Sequence, residues 1–312
     1  MRIAFVGKGG SGKTTMSSLF IRYVQKQGGQ VVAIDADINQ HLAQALGGED
    51  IKFPALGNEM QRIKEYVRGS NPRISSADVM LKTTPPGQGS RLFRLNESNA
   101  IFDYFVRNVN GVRMMATGPF VDEDMGVACY HSKTGSVELI LNHLIDQPDE
   151  YVVVDMTAGA DAFASGLFTR FDLTVIVVEP TRKSLAVYEQ YRSYADPYQM
   201  PIVAIGNKIQ DSSDKEYLQE KIGGALIGFF EYSKFVRTEE QGKLLDISTM
   251  EPKNLALLKV LKEKIDTLER NWQRSLELAQ IFHRRNAENW ANALLNIDAT
   301  TQIDPHFKYP IH

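Results

Sequence analysis

The chain has 312 residues, 43 % hydrophobic and 23 % charged, with a formal net charge of −3. This is the make-up of a soluble globular protein with one large or two small domains, and its mild acidity argues against a broad nucleic-acid footprint. No apolar run approaches the ~20 residues that span a bilayer, and the single cysteine, Cys129, excludes an internal disulfide and suits a reducing cytoplasm.

The first predicted strand is Arg2–Val6. A chain opening this way is expected to carry no cleavable signal peptide. The strand runs into Gly7-Lys8-Gly9-Gly10-Ser11-Gly12-Lys13-Thr14-Thr15, and Met16–Val24 then reads as a helix. Strand, glycine-rich turn and helix are the context of a phosphate-binding loop, and G-x-x-x-x-G-K-[ST] is matched in full. The glycines let backbone N–H groups turn inward toward phosphate oxygens, and the helix N-terminus adds partial positive charge. Gly9, Gly10, Ser11, Gly12, Lys13, Thr14 and Thr15 form the candidate nucleotide-binding set. Lys13 is expected to reach the β- and γ-phosphates, and the Thr14 hydroxyl to ligate Mg²⁺.

The second predicted strand, Gln30–Ile34, ends in Asp35-Ala36-Asp37. Two carboxylates two residues apart share one side of an extended segment. In a parallel sheet they meet the ligand crevice, where Mg²⁺ support and a water-orienting base are needed. The alternative for each is to cap the next helix. Residues 48–110 lack periodicity and contain Pro54, Pro72, Pro85 and Pro86, so they read as an insertion on the core, with Thr83–Ser90 as a mobile loop.

Strands are predicted next at Val112–Ala116, Tyr151–Val154, Leu173–Val178, Ile202–Ile205 and Ala225–Phe230. Tyr151–Val154 ends in Asp155, placed to hold a Mg²⁺-bound water. Gly159 follows, able to report the γ-phosphate through its N–H. Ile202–Ile205 leads to Asn207 and Lys208. An Asn amide both donates and accepts, which matches the adenine edge. A guanine reader would want Asp at position 210, and Gln stands there with Asp211 one further on, which favours ATP. The loop Phe229–Tyr232 is expected to flank the base. From Asn254 to about Asn296 apolar residues recur every three or four positions, so one long amphipathic helix or two in series are expected, packed on the body or a partner subunit. Asp298–His312 reads as an extended tail. The fold expected is a doubly wound, mostly parallel α/β sheet of seven or eight strands, with an ATPase domain over 1–250 and a helical extension over 251–312.

The string Lys8-Gly9-Gly10-Ser11-Gly12-Lys13-Thr14-Thr15 resembles the variant P-loop of the ParA/MinD, nitrogenase iron protein and arsenite-pump ATPases. The resemblance implies that Lys8 reaches across a homodimer to the partner's nucleotide. It also implies that Asp37, 24 positions after Lys13, orients the attacking water, and that Asp35 supports Mg²⁺. Ile34–Asp37, Phe93–Asn96, Asp155–Gly159, Val178–Ser184 and Gly206–Lys208 further resemble CooC-like ATPases, accessory proteins of nickel insertion. Those carry Cys-x-Cys near the dimer interface. Here Cys129 and His131 occupy the comparable region, a departure from the pattern. They could still give a two-Cys, two-His site for Ni²⁺ or Zn²⁺ across a dimer. The commoner alternative is a buried small cysteine and a polar loop histidine. The implied function is an ATP-dependent dimerisation switch with slow hydrolysis, serving a client such as a metallo-enzyme. The alternatives are a MinD- or ParA-like positioning or partition ATPase, and an ATP-dependent client-recruiting protein with little turnover.

Overall fold

The computed structural model describes residues 1–119, 130–159 and 161–311, and only the backbone of 130–132 and 161–162. Its strands are β1 Arg2–Gly7, β2 Gln30–Ala36, β3 Phe93–Arg94, β4 Arg107–Val109, β5 Val112–Ala116, β6 Leu144–Ile145, β7 Glu150–Met156, β8 Leu173–Val178, β9 Ile202–Gly206 and β10 Leu226–Phe229. Among the described residues eight of these form one sheet in the order β10-β9-β8-β1-β7-β2-β5-β4. Every neighbouring pair is parallel except the edge hairpin β4–β5. All seven expected strands are present, and the expected α/β architecture is the one observed.

Alternation along each strand explains why both faces are covered. In β1, Ile3 and Phe5 point to one face and Ala4 and Val6 to the other. The first face carries the helix Lys13–Lys26 through Leu19, Phe20 and Val24. The second carries the helices Met60–Arg68, Tyr130–His143 and Arg182–Ala195. A sheet buried on both sides needs apolar runs of this kind.

The C-terminal stripe is two helices in series, Pro252–Asp266 and Trp272–Asn286. Pro252 starts the first, where its missing N–H costs nothing. Asn271 caps the second by accepting the Arg274 N–H at 2.8 Å. Leu257, Leu258, Leu261 and Ile265 join the same apolar cluster as Phe20, whereas Phe282 joins the cluster on the opposite face. The extension thus wraps around the sheet. A buried ionic knot fastens it there: Asp146 accepts the Met1 ammonium at 2.9 Å and Arg2 Nε at 2.8 Å, and lies 3.5 Å from Arg270 Nη2.

Two expectations need correction. Residues 83–87 are not a mobile loop but buried, and the C-terminal residues hold them. The Thr84 hydroxyl donates to Gln302 Oε1 at 2.8 Å, and the Gln88 N–H to Asp304 Oδ2 at 2.9 Å. The Thr83 hydroxyl meets His283 Nδ1 at 3.1 Å, while His283 Nε2 donates to the Ala299 carbonyl at 2.9 Å. The tail in turn is irregular but docked. Gln302, Ile303 and Asp304 are buried, and the Tyr309 hydroxyl donates to the Asn142 carbonyl at 2.7 Å.

Candidate functional site

The parallel sheet delivers the C-terminal ends of its central strands to one edge, and the expected residues gather there. Gly12 closes the phosphate loop at φ 95°, a left-handed conformation that glycine adopts without strain. A Cβ at that position would lie 2.4 Å from Asn207 Nδ2. The loop therefore needs glycine for its turn and for its neighbour. Helix Lys13–Lys26 follows directly, with Thr14 and Thr15 in its first turn.

A cleft of about 980 Å³ opens over this loop. Gly9, Gly10, Gly12, Lys13, Thr14, Thr15, Asp37, Asn207 and Lys208 all line it. Of the segment expected to flank a base, Phe230, Glu231 and Tyr232 line the cleft and Phe229 does not. Ser11 is buried behind the loop, with its N–H donating to the Lys8 carbonyl at 2.9 Å.

Lys13 Nζ lies 2.6 Å from Asp37 Oδ2, while Asp37 Oδ1 accepts the Asn39 N–H at 2.8 Å. Burial alone would lower the Lys13 ammonium, but Asp155, Asp37 and Asp35 overcome it and raise it. The Thr14 hydroxyl donates to Asp155 Oδ2 at 2.6 Å. Asp155 Oδ1 is buried without a hydrogen-bond partner. Burial pushes the Asp155 carboxyl up to about 6, against the pull of Lys13 and Thr14. A buried carboxylate oxygen left unpaired beside a hydroxyl is a donor set that fits a hard divalent cation, so Thr14 and Asp155 would hold Mg²⁺.

Asp35 has a different part. Its Oδ1 accepts the Asp37 N–H at 3.2 Å and its Oδ2 the Leu42 N–H at 3.0 Å. It stands beside Asp155 in the β2–β7 register, and neither of these two carboxylates lines the cleft. Burial, then Asp155, push its carboxyl up to about 8. Asp35 therefore braces the loop that carries Asp37, close to the capping alternative. Asn207 likewise spends its amide on the loop, donating to the Ser11 carbonyl at 2.7 Å, though it still borders the cleft. Asp211 caps the helix Ser212–Ile222 by accepting the Ser213 and Asp214 N–H groups, which accounts for that acid without a base. The Gly159 N–H meets Thr157 Oγ1 at 3.2 Å, just outside the cleft lining.

One functional contact has no expectation behind it. Glu179, after β8, holds Lys208 at 2.7 Å and Lys8 at 3.4 Å. Cys129 and the His131 side chain lie outside the described residues. Among the described residues no group of three or more His, Cys, Asp or Glu could hold a metal ion. Nor is any helix there long and apolar enough to cross a membrane.

The family profile described as the CobQ/CobB/MinD/ParA nucleotide binding domain matches residues 3–269. The chain belongs to this family. The match ends beyond the helix Pro252–Asp266, in keeping with that helix's place in the core. Within the CobQ/CobB/MinD/ParA family, an uncharacterised ATP-binding protein of Methanocaldococcus jannaschii is 28 % identical over 82 % of this chain and 95 % of its own length. The carbon monoxide dehydrogenase accessory protein CooC of Rhodospirillum rubrum is 27 % identical over 85 % of this chain and 97 % of its own. Among solved structures, the MinC:MinD cell division protein complex of Aquifex aeolicus matches with a TM-score of 0.55 and 17 % identity, covering 86 % of this chain and 98 % of that one. At that identity it speaks for the fold alone. This CobQ/CobB/MinD/ParA domain thus brings a P-loop, two acidic strand ends and a basic rim to one nucleotide-binding edge.

Proposed function

We propose that this protein is an ATP-binding, slowly hydrolysing dimerisation switch that acts as an accessory ATPase for a metallo-enzyme or a similar client. The observation carrying the ATPase reading is the paired geometry at the phosphate loop, Lys13 on Asp37 and Thr14 on Asp155, each at 2.6 Å. Phosphoryl transfer needs cations where negative charge develops and an acceptor that orients the attacking water. Lys13 and Lys8 supply the cations, and Asp37 at the cleft wall supplies the acceptor. Bound Mg²⁺ would neutralise phosphate charge. Gly159, after the Asp155 strand, would couple the γ-phosphate to the dimer surface by trading its N–H bond to Thr157 for the phosphate.

The client reading is supported by the likeness to CooC, which covers nearly the whole of that protein. Cys129 and His131 would be the points where a transition metal is handled as cargo. The test is the molar mass in solution with ADP and with a non-hydrolysable ATP analogue, with metal assayed on the same fractions. A dimer formed only with the analogue is the expected result. A monomer with both removes the switch.

A further inference from the structure

Lys208, Glu179 and Lys8 follow the strands β9, β8 and β1, which are neighbours in the sheet. They meet at the rim of the phosphate loop. The buried Glu179 carboxylate takes one lysine on each oxygen: Oε1 lies 2.7 Å from Lys208 Nζ, and Oε2 lies 3.4 Å from Lys8 Nζ. Lys208 Nζ also donates to the Gly10 carbonyl at 2.6 Å, and Lys8 Nζ to the Gly9 carbonyl at 3.3 Å. The backbone keeps Glu179 in place. Its N–H donates to Ser184 Oγ at 2.9 Å, Pro180 follows, and Thr181 caps the next helix by accepting the Ser184 N–H. Burial would raise this carboxyl, but Lys208 and Lys8 hold it below its usual range.

The two grips differ in length. Lys208 is fastened at short range to both Glu179 and the loop backbone. Lys8 makes the same two kinds of contact at longer range. Of the two lysines, Lys8 34 % and Lys208 56 % exposed, it is the more weakly held and the one that can leave. We propose that Glu179 is a latch for Lys8 in its own chain, competing with a partner subunit's bound nucleotide for that lysine and so setting the affinity of the ATP-dependent dimer. Lys208, at shorter range, is the counter-ion that keeps Glu179 charged and aimed. Only the effect on the dimer rests on the function proposed above, because the latch itself is a property of a single chain.

Glu179→Gln keeps the shape and removes the charge. Two measurements are made. The first is acylation of Lys8 by an amine-reactive reagent without nucleotide, followed by mass spectrometry against the exposed Lys243. Glu179→Gln is expected to label Lys8 about two- to fivefold faster, the range a partly exposed ion pair supplies. Equal or slower labelling overturns the latch whatever the oligomeric state. The second is the dimer dissociation constant with a non-hydrolysable ATP analogue, by sedimentation. The variant is expected to dimerise about two- to fivefold more tightly, with no gain when Lys8→Ala is present as well. A gain that survives the loss of Lys8 overturns the competition. A wild-type monomer in this assay defeats the dimer reading, and the labelling still decides the latch. Should Glu179→Gln fail to fold, wild-type Lys8 labelling is read against ionic strength. Screening should raise it relative to Lys243, and a constant ratio overturns the proposal.

Discussion

Replacing Gly12 with alanine tests whether the phosphate loop is shaped by its own backbone or by the strand end beside it. Gly12 has φ 95° and ψ 19°, and helix Lys13–Lys26 begins at the next residue. A left-handed conformation costs a residue with a Cβ about 1–2 kcal/mol. The new Cβ would also sit 2.4 Å from Asn207 Nδ2. Asn207 can move aside only by giving up its 2.7 Å hydrogen bond to the Ser11 carbonyl, a loss of about 1 kcal/mol. The total is about 2–3 kcal/mol, or about 3–5 °C in Tm for a chain of this size. Asn207→Ala alone should cost about 1 kcal/mol, because it removes only the hydrogen bond. In the double variant the collision has gone, so the loss should fall short of the sum of the singles by about 1 kcal/mol. Denaturant unfolding of the four proteins gives the cycle, and fluorescent-nucleotide titration should show affinity falling in parallel. Strictly additive losses would refute the contact between Asn207 and the loop.

Asp37→Ala should retain ATP yet lose turnover by about 10²–10⁴-fold, the usual contribution of a positioned base, in a steady-state phosphate-release assay. Normal turnover would remove Asp37 from the reaction. Asp146→Ala takes the buried carboxylate from the Met1 ammonium and Arg2 Nε, while Arg270 keeps Asp172, and breaking a buried pair costs about 3–5 kcal/mol. The melting temperature should drop by about 5–8 °C, and an unchanged melt would mean the knot carries no stability. His283 is buried between Thr83 and Ala299, and burial lowers its pKa from 6.5 to about 4. The folded ring stays neutral where the unfolded one charges. Its contribution is therefore present above pH 6.5 and lost as pH falls toward 4. The stability difference between wild type and His283→Gln should shrink by up to about 3 kcal/mol across that window. A difference independent of pH would show that the ring is not held neutral.

The strands were legible because each is a short, β-branched, apolar run buried on both faces. Leu173–Val178 and Val112–Ala116 match residue for residue. β4 was missed although its signal was present. Asn110 and Gly111 both adopt positive φ, at 48° and 85°, the mark of an Asn-Gly hairpin turn, but it lay inside a stretch read as insertion. The misreading of Thr83–Ser90 has a different cause. Pro, Gly and Ser mark irregular backbone without saying whether water or protein covers it. The residues that cover this segment, His283, Gln302 and Asp304, stand about two hundred positions away.

The candidate site divides along the same line. Gly7–Thr15, Asp35–Asp37 and Asp155–Gly159 each announce themselves within a few residues, because a strand end and its turn are local. What no local pattern contains is which strand end stands beside which. The order β9-β8-β1-β7-β2 sets Lys208, Glu179, the phosphate loop, Asp155 and Asp37 in one row. Parallel strands make such a row, because all their C-terminal ends face the same edge. The row explains a division of labour that the motifs leave open. On the β2–β7 side the carboxylates meet Lys13 and Thr14 at the phosphate loop, where the proposed hydrolysis would use them. On the β8–β9 side one carboxylate holds two lysines at the rim, where it can govern when Lys8 is released. In the proposed switch, chemistry and its control would thus sit on opposite flanks of β1, with the glycine-rich loop between them.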